Sequence, residues 1–182
     1  GSGLVGSEMC IRDRRYATKT SAFKVEAFQA VPYGQLGTIA GGRVYFEAAI
    51  SKCHTVNSVF AGKNYTSLPR TDIIYTHCDD DGVLIEAAVN AGAQGIIYAG
   101  SGMGSIHCGA EAALLKAVQR GAAVVRSTRV SEGRVLAANP KWDEAGFICG
   151  GNLNPQKARI LLQLALTCTK DTKKIQEIFD EY

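Results

Sequence analysis

Residues 95–126 read GIIYAGSGMGSIHCGAEAALLKAVQRGAAVVR. The stretch opens on an apolar run of strand length, Gly95-Ile-Ile-Tyr-Ala99, and closes on another, Ala122-Ala-Val-Val-Arg126. Between them Ala110, Ala113, Leu114, Ala117 and Val118 recur at helical spacing, and Gly121 stands where a helix C-cap belongs. Two continuously apolar strands joined by one amphipathic helix describe a parallel pair covered by helices. The crossover between them should be right-handed.

The same pattern extends outward. Upstream, Asp72-Ile-Ile-Tyr-Thr76 is a further strand, followed by Leu84, Ala87, Ala88 and Ala91 at helical spacing and by Gly92 as its C-cap. Downstream, a turn-rich stretch from Ser131 to Ala145 leads to Gly146-Phe-Ile-Cys149, a fourth strand. Asn154-Pro155 then announces a helix, with Asn as N-cap and Pro at the first helical position. Its apolar face is Ala158, Leu161, Leu162 and Ala165, and a last helix from near Asp171 presents Ile175, Ile178, Phe179 and Tyr182. The fold class expected is α/β: a small parallel sheet of about four strands covered by helices, spanning residues 70–182.

Upstream of residue 70 the pattern changes. Gly37-Thr-Ile-Ala40 and Arg43-Val-Tyr-Phe46 flank Gly41-Gly42, which predicts a β-hairpin with a primed turn. The segment 15–47 is too short to bury a core of its own and is expected to be the remnant of another domain. Residues 48–69 are polar and irregular, as a linker is. Residues 1–14 show no period of 2 or 3.6, and resemble a translated sequencing-adapter artefact. They are set aside as a non-native leader, together with Cys10.

With 46% hydrophobic and 20% charged residues, the composition is that of a globular domain with a real core. A net charge of +3, with basic and acidic residues interspersed, does not point to a nucleic-acid partner. No apolar stretch is long enough to cross a membrane as a helix. The six cysteines have no CxxC pair and no regular spacing, so neither a zinc knuckle nor a disulfide scaffold is implied.

Ligands of open parallel sheets bind outside the carboxyl ends of the strands, which makes three loops candidates. Thr76-His-Cys-Asp-Asp-Asp81 invites a metal, but no second cluster with ligand spacing accompanies it. The plainer reading is that its aspartates cap the following helix. Gly100-Ser-Gly-Met-Gly-Ser105 lies between strand and helix, where glycines allow close backbone approach and a helix start offers N–H groups to an anion. As a dinucleotide fingerprint it is imperfect, because its third glycine, Gly104, falls one place early. With Arg126 and Arg129 as partners for a 2′-phosphate, it keeps open an NADP-binding half of an oxidoreductase. The third loop begins at Ser127, where Ser and Thr read as solvated turn formers. A non-catalytic binding module is a further alternative.

One resemblance covers most of the chain. The run Gly151-Asn-Leu-Asn-Pro-Gln-Lys-Ala-Arg-Ile-Leu-Leu-Gln-Leu-Ala-Leu166, then Thr169-Lys-Asp171, Ile178-Phe179 and Tyr182, closely resembles the carboxy terminus of bacterial type II L-asparaginases. Tyr33-Gly-Gln-Leu-Gly37, Cys53-His-Thr55, Ala91-Gly92, Gly95-Ile96, Ala99-Gly100 and Val124-Val-Arg-Ser127 fall in that family's order and spacing. The likeness runs from about Arg15 to Tyr182, roughly the carboxy-terminal half of a two-domain family chain.

The resemblance implies a hydrolase that converts L-asparagine to L-aspartate and ammonia, often with glutaminase activity, and without metal or organic cofactor. It also implies a homotetramer of intimate dimers, in which each active site is completed by a neighbour's carboxy-terminal domain. The family's nucleophile is a Thr in a Gly-Thr-Ile-Ala sequence near the amino terminus, supported by a triad of Thr, Asp and Lys. By the same resemblance, Thr18-Lys-Thr20 matches the family's Thr-Lys-Thr, which makes Lys19 the triad lysine. Ser105 falls on a substrate-contacting position, and Asn139 falls near a glutamate that some members donate. Gly37-Thr38-Ile39-Ala40 reads like the nucleophile motif, yet its flanks align it with a hairpin far downstream of that motif, so Thr38 is not expected to be catalytic. The nucleophile, second Thr and Asp would lie upstream of this chain, leaving it inactive alone. Type II resemblance implies the periplasm, with the cytoplasm as the alternative that reduced cysteines favour.

Overall fold

The computed structural model describes residues 18–25, 27–30, 34–137 and 139–182. Residues 1–14, read above as a leader, and Tyr33 of the quoted family string lie outside the described residues. The described residues divide into two compact units: those up to Lys63 together with Tyr182, and Asn64–Glu181.

In the smaller unit, β1 (Thr18–Lys19) pairs antiparallel with β2 (Phe28–Gln29), and β3 (Gly37–Ala40) with β4 (Arg43–Phe46). The second pair is the expected hairpin. Gly41 and Gly42 both have positive φ, 55° and 74°, as a primed two-residue turn requires. Its apolar side chains stay in solvent: Ile39 and Phe46 are each 78% exposed. Among its described residues the buried hydrophobics are Ala27, Phe60 and Tyr182. The Tyr182 ring lies 5.4 Å from that of Phe60, and its hydroxyl donates to Ser58 Oγ and accepts from the Val59 N–H.

The larger unit follows the expected α/β pattern. Its order is β5 (Thr71–Tyr75), α1 (Val83–Asn90), β6 (Gly95–Gly100), α2 (Cys108–Gln119), β7 (Ala123–Thr128), α3 (Pro140–Glu144), β8 (Ile148–Cys149), α4 (Pro155–Cys168) and α5 (Thr172–Glu181). The four strands pair in parallel in the order β5-β6-β7-β8. Every residue of β6 and β7 is buried, which explains the apolar runs 95–99 and 123–125, although β7 also buries the polar Arg126, Ser127 and Thr128. Alternation sends Ile96, Tyr98 and Val124 into one core with Ile85 and Ala88 of α1 and Ala113, Leu114 and Ala117 of α2. On the other face α4 packs against β5, β6 and β7, burying Leu161, Leu162 and Ala165. Each fully buried Leu or Ile stabilises the fold by about 1.5–3 kcal/mol relative to an exposed one.

Two local readings are corrected. The turn-rich stretch 131–145 contains the short helix α3, capped by Asn139, whose side chain accepts from the Lys141 N–H, with Pro140 in its first turn. This is the same Asn-Pro signal that marks α4, where Asn154 accepts from the Lys157 N–H. Strand β7 also runs on to Thr128, so Ser127 and Thr128 are buried strand residues rather than solvated turn formers.

Candidate functional site

The carboxyl end of β6 leads through residues 101–107 into α2, and here the chain folds back on itself. The Ser105 N–H donates to the Ser101 carbonyl at 2.8 Å, closing a tight turn. Two glycines make this possible. At Gly100 a Cβ would strike the Ser105 carbonyl oxygen. At Gly104, φ is +76°, and a Cβ would lie 2.9 Å from Val135 Cγ1 and 3.0 Å from the Ser127 carbonyl. The close approach that glycine permits is therefore used by the chain itself. Thr128 Oγ1 donates to the Gly102 carbonyl at 2.6 Å, and the Arg129 N–H to the Gly100 carbonyl at 3.0 Å. Ser105 is left exposed at the rim of this turn.

Arg126 does not wait for a 2′-phosphate. It is 1% exposed, and its guanidinium donates to three main-chain carbonyls: Gly104 at 3.2 Å, Leu136 at 3.1 Å and Met103 at 3.4 Å. Its guanidinium carbon stands 4.6 Å from the centre of the Trp142 ring. Burial lowers its affinity for the proton, although an arginine stays charged in such a place. Arg129 donates to the Thr76 carbonyl at 3.1 Å. The NADP reading thus loses the features that carried it: the glycines fit the loop to itself, and both arginines serve the main chain.

The first loop is also drawn inward. Tyr98, fully buried, donates its hydroxyl to Asp80 Oδ2 at 2.8 Å and lies 3.0 Å from Thr76 Oγ1. Asp80, 2% exposed, accepts from the Gly82 N–H as well. Burial raises the Tyr98 pKa, opposed by the Thr76 bond and reinforced by the Asp80 carboxylate. Asp81 accepts from the Val83 N–H at the start of α1, though the N-cap position itself is Gly82 in a left-handed conformation. His107 Nδ1 lies 2.9 Å from the Asp80 carbonyl and 3.3 Å from the Gly109 N, donating to the first or accepting from the second according to its tautomer. Among the described residues, no group of three or more His, Cys, Asp or Glu is placed to hold a metal ion.

The remaining candidates stand as follows. Lys19 lies in β1 opposite Phe28, exposed, with its ammonium 5.9 Å from the Phe28 ring centre. Lys19 belongs to the smaller unit and Ser105 to the larger. Thr38 sits in β3 across from Tyr45, exposed on the hairpin. Asn139 is engaged as the α3 cap. A cleft of about 410 Å³ lies among Val135, Asp143, Cys149, Lys173 and Gln176, and none of the predicted site residues lines it. What the sequence did not disclose is the role of Arg126 and Trp142. An arginine ending an apolar run reads as a strand reaching solvent, and only the lone tryptophan nearby offered a hint.

Residues 70–179 match the family model described as the Glutaminase/Asparaginase C-terminal domain. The chain is 44% identical over 181 residues to L-asparaginase 2 of Bacillus subtilis (strain 168), a match covering 97% of this chain and 48% of that one. It is 41% identical over 180 residues to the probable periplasmic L-asparaginase of Haemophilus influenzae, covering 98% of this chain and 52% of that one. Among solved structures, it superposes on the probable cytoplasmic L-asparaginase of Campylobacter jejuni with a TM-score of 0.87 at 44% identity, over 92% of this chain and 54% of that one. The chain thus spans about half the length of the curated relatives it matches. On the domain match, the identities and the shared architecture, the chain belongs to the glutaminase/asparaginase family, as a carboxy-terminal half of the type II asparaginase kind.

Proposed function

We propose that the chain is the carboxy-terminal part of an amidohydrolase that converts L-asparagine and water to L-aspartate and ammonia, with L-glutamine as a second substrate. The observation that carries this reading is the family match over 70–179 coinciding with a tight turn that presents Ser105 exposed at the carboxyl edge of the sheet. In this reading Ser105 hydrogen-bonds the polar groups of substrate in a neighbouring subunit's site. Lys19 is the lysine that helps a threonine hydroxyl, supplied by upstream sequence, to become a nucleophile. Neither metal nor organic cofactor takes part. The working form is a homotetramer of intimate dimers.

The chain alone is proposed to be inactive. In this reading Lys19 can act only together with the nucleophilic threonine and the triad Thr and Asp of the upstream sequence. The exposed Ile39, Val44, Tyr45 and Phe46 of the hairpin are consistent with a covering domain supplied by upstream sequence. On the type II likeness the proposed location is the periplasm. The cytoplasm is the second reading, favoured by the likeness to a solved structure described as a probable cytoplasmic L-asparaginase. No described helix is long and apolar enough to cross a membrane.

Reading the genomic DNA upstream of Arg15 tests the proposal. A continuous frame encoding Gly-Thr-Ile-Ala and, further on, a Thr-Asp pair is expected. A native start codon directly before Arg15 would overturn it.

A further inference from the structure

Arg126 has no place in the chemistry proposed above, yet it is among the largest fully buried side chains of the described residues. A buried cation is costly unless its donors are satisfied. Here the acceptors are carbonyls from two separate loops. Met103 and Gly104 belong to the turn directly ahead of Ser105, and Leu136 belongs to the segment leading into α3. A planar guanidinium can hold three carbonyls at fixed angles, whereas an ammonium on a flexible stem cannot. Its flat face is backed by Trp142, whose Nε1–H donates to Glu111 Oε1 of α2 at 2.6 Å. The plate behind the arginine is therefore anchored to the helix that follows the Ser105 turn.

We propose that Arg126 is a positioning residue: with Trp142 behind it, it locks the Gly100–Ser105 turn to the Leu136 segment and so fixes where Ser105 is presented. The effect on turnover rests on the reading of Ser105 as a substrate contact; the effect on the loop does not. The test compares R126K and W142F with the unaltered 182-residue chain by amide hydrogen exchange. In R126K the amides of Ser105 and Val135, which donate to the Ser101 and Gly151 carbonyls on either side of the arginine, should exchange about tenfold faster or more, while those of Ile96 and Ile97 in β6 keep their protection. W142F, which keeps the guanidinium but thins its backing, should loosen the same amides to a smaller degree. The emission of Trp142, the sole tryptophan, should shift to the red in R126K as the indole gains water. Unchanged loop exchange, or equal acceleration throughout the sheet, would overturn the proposal. In the protein joined to its upstream coding half, R126K should raise KM for L-asparagine about tenfold with a smaller change in kcat. A loosened loop with unchanged KM would remove the link to substrate. If the unaltered joined protein releases no ammonia, the asparaginase reading falls while the exchange pattern still decides the role of Arg126.

Discussion

Single residues decide the Ser105 turn more than any element does. Gly104 is held in a left-handed conformation with Val135 and Ser127 against its α-carbon. Gly104→Ala should lower the unfolding free energy by at least about 1–2 kcal/mol from the backbone alone, with the crowding added. Urea unfolding checks this, and an unchanged midpoint would contradict it. Tyr98→Phe removes a donor from Asp80, a carboxylate that is 2% exposed. That substitution should cost about 1–3 kcal/mol in the same measurement, because the buried acceptor loses a partner without regaining water. The sequence disclosed this site in part. The glycines were legible as a place of close backbone approach, whereas Ser105 was singled out only by the family resemblance. The inward paths of Arg126 and Tyr98 were not legible, since an apolar run does not say which of its polar members finds a partner across the sheet.

At the level of elements, the strands and long helices were legible because burial on both faces selects the continuous apolar runs 96–97 of β6 and 123–125 of β7. Their ends were less so. Strand β5 runs Thr71–Tyr75 where the sequence suggested Asp72–Thr76, because Thr71 is fully buried beside α4 and accepts from Arg159 Nε. Helix α3 was missed although Asn139-Pro140 repeats the signal of Asn154-Pro155; with five residues it has no apolar stripe to announce it. The caps give a direct prediction: Asn154→Ala should cost about 1 kcal/mol, since Lys157 N–H then loses its acceptor. Thermal unfolding that is insensitive to this change would argue against the cap. Helices α2 and α3 meet through Glu111, which accepts from Lys141 at 2.9 Å and from Trp142. These bonds, Lys141 first, hold the Glu111 carboxyl below its usual pKa. A carboxyl with a depressed folded pKa stabilises above its unfolded value, and that contribution is lost as pH falls through the folded one. Stability should therefore fall on acidification through the carboxylate range, less steeply in Glu111→Gln; equal slopes in both proteins would contradict this.

For the whole molecule, the two units differ in what they bury. The larger unit has a sheet with a core on each face. The smaller one buries three hydrophobic side chains among its described residues and leaves its hairpin apolar groups in water. Amides of β6 and β7 should accordingly be the slowest to exchange and those of β3 and β4 among the fastest; protection of the hairpin equal to that of the sheet would show a core not accounted for here. This contrast was legible in the sequence, because the length of segment 15–47 bounds the area it can bury. The most direct test of the account is L-asparagine-dependent ammonia release, measured side by side for the purified 182-residue chain and for the same chain joined to its upstream coding half. The account predicts no release from the first and turnover by the second. Robust release from the 182-residue chain alone would contradict it.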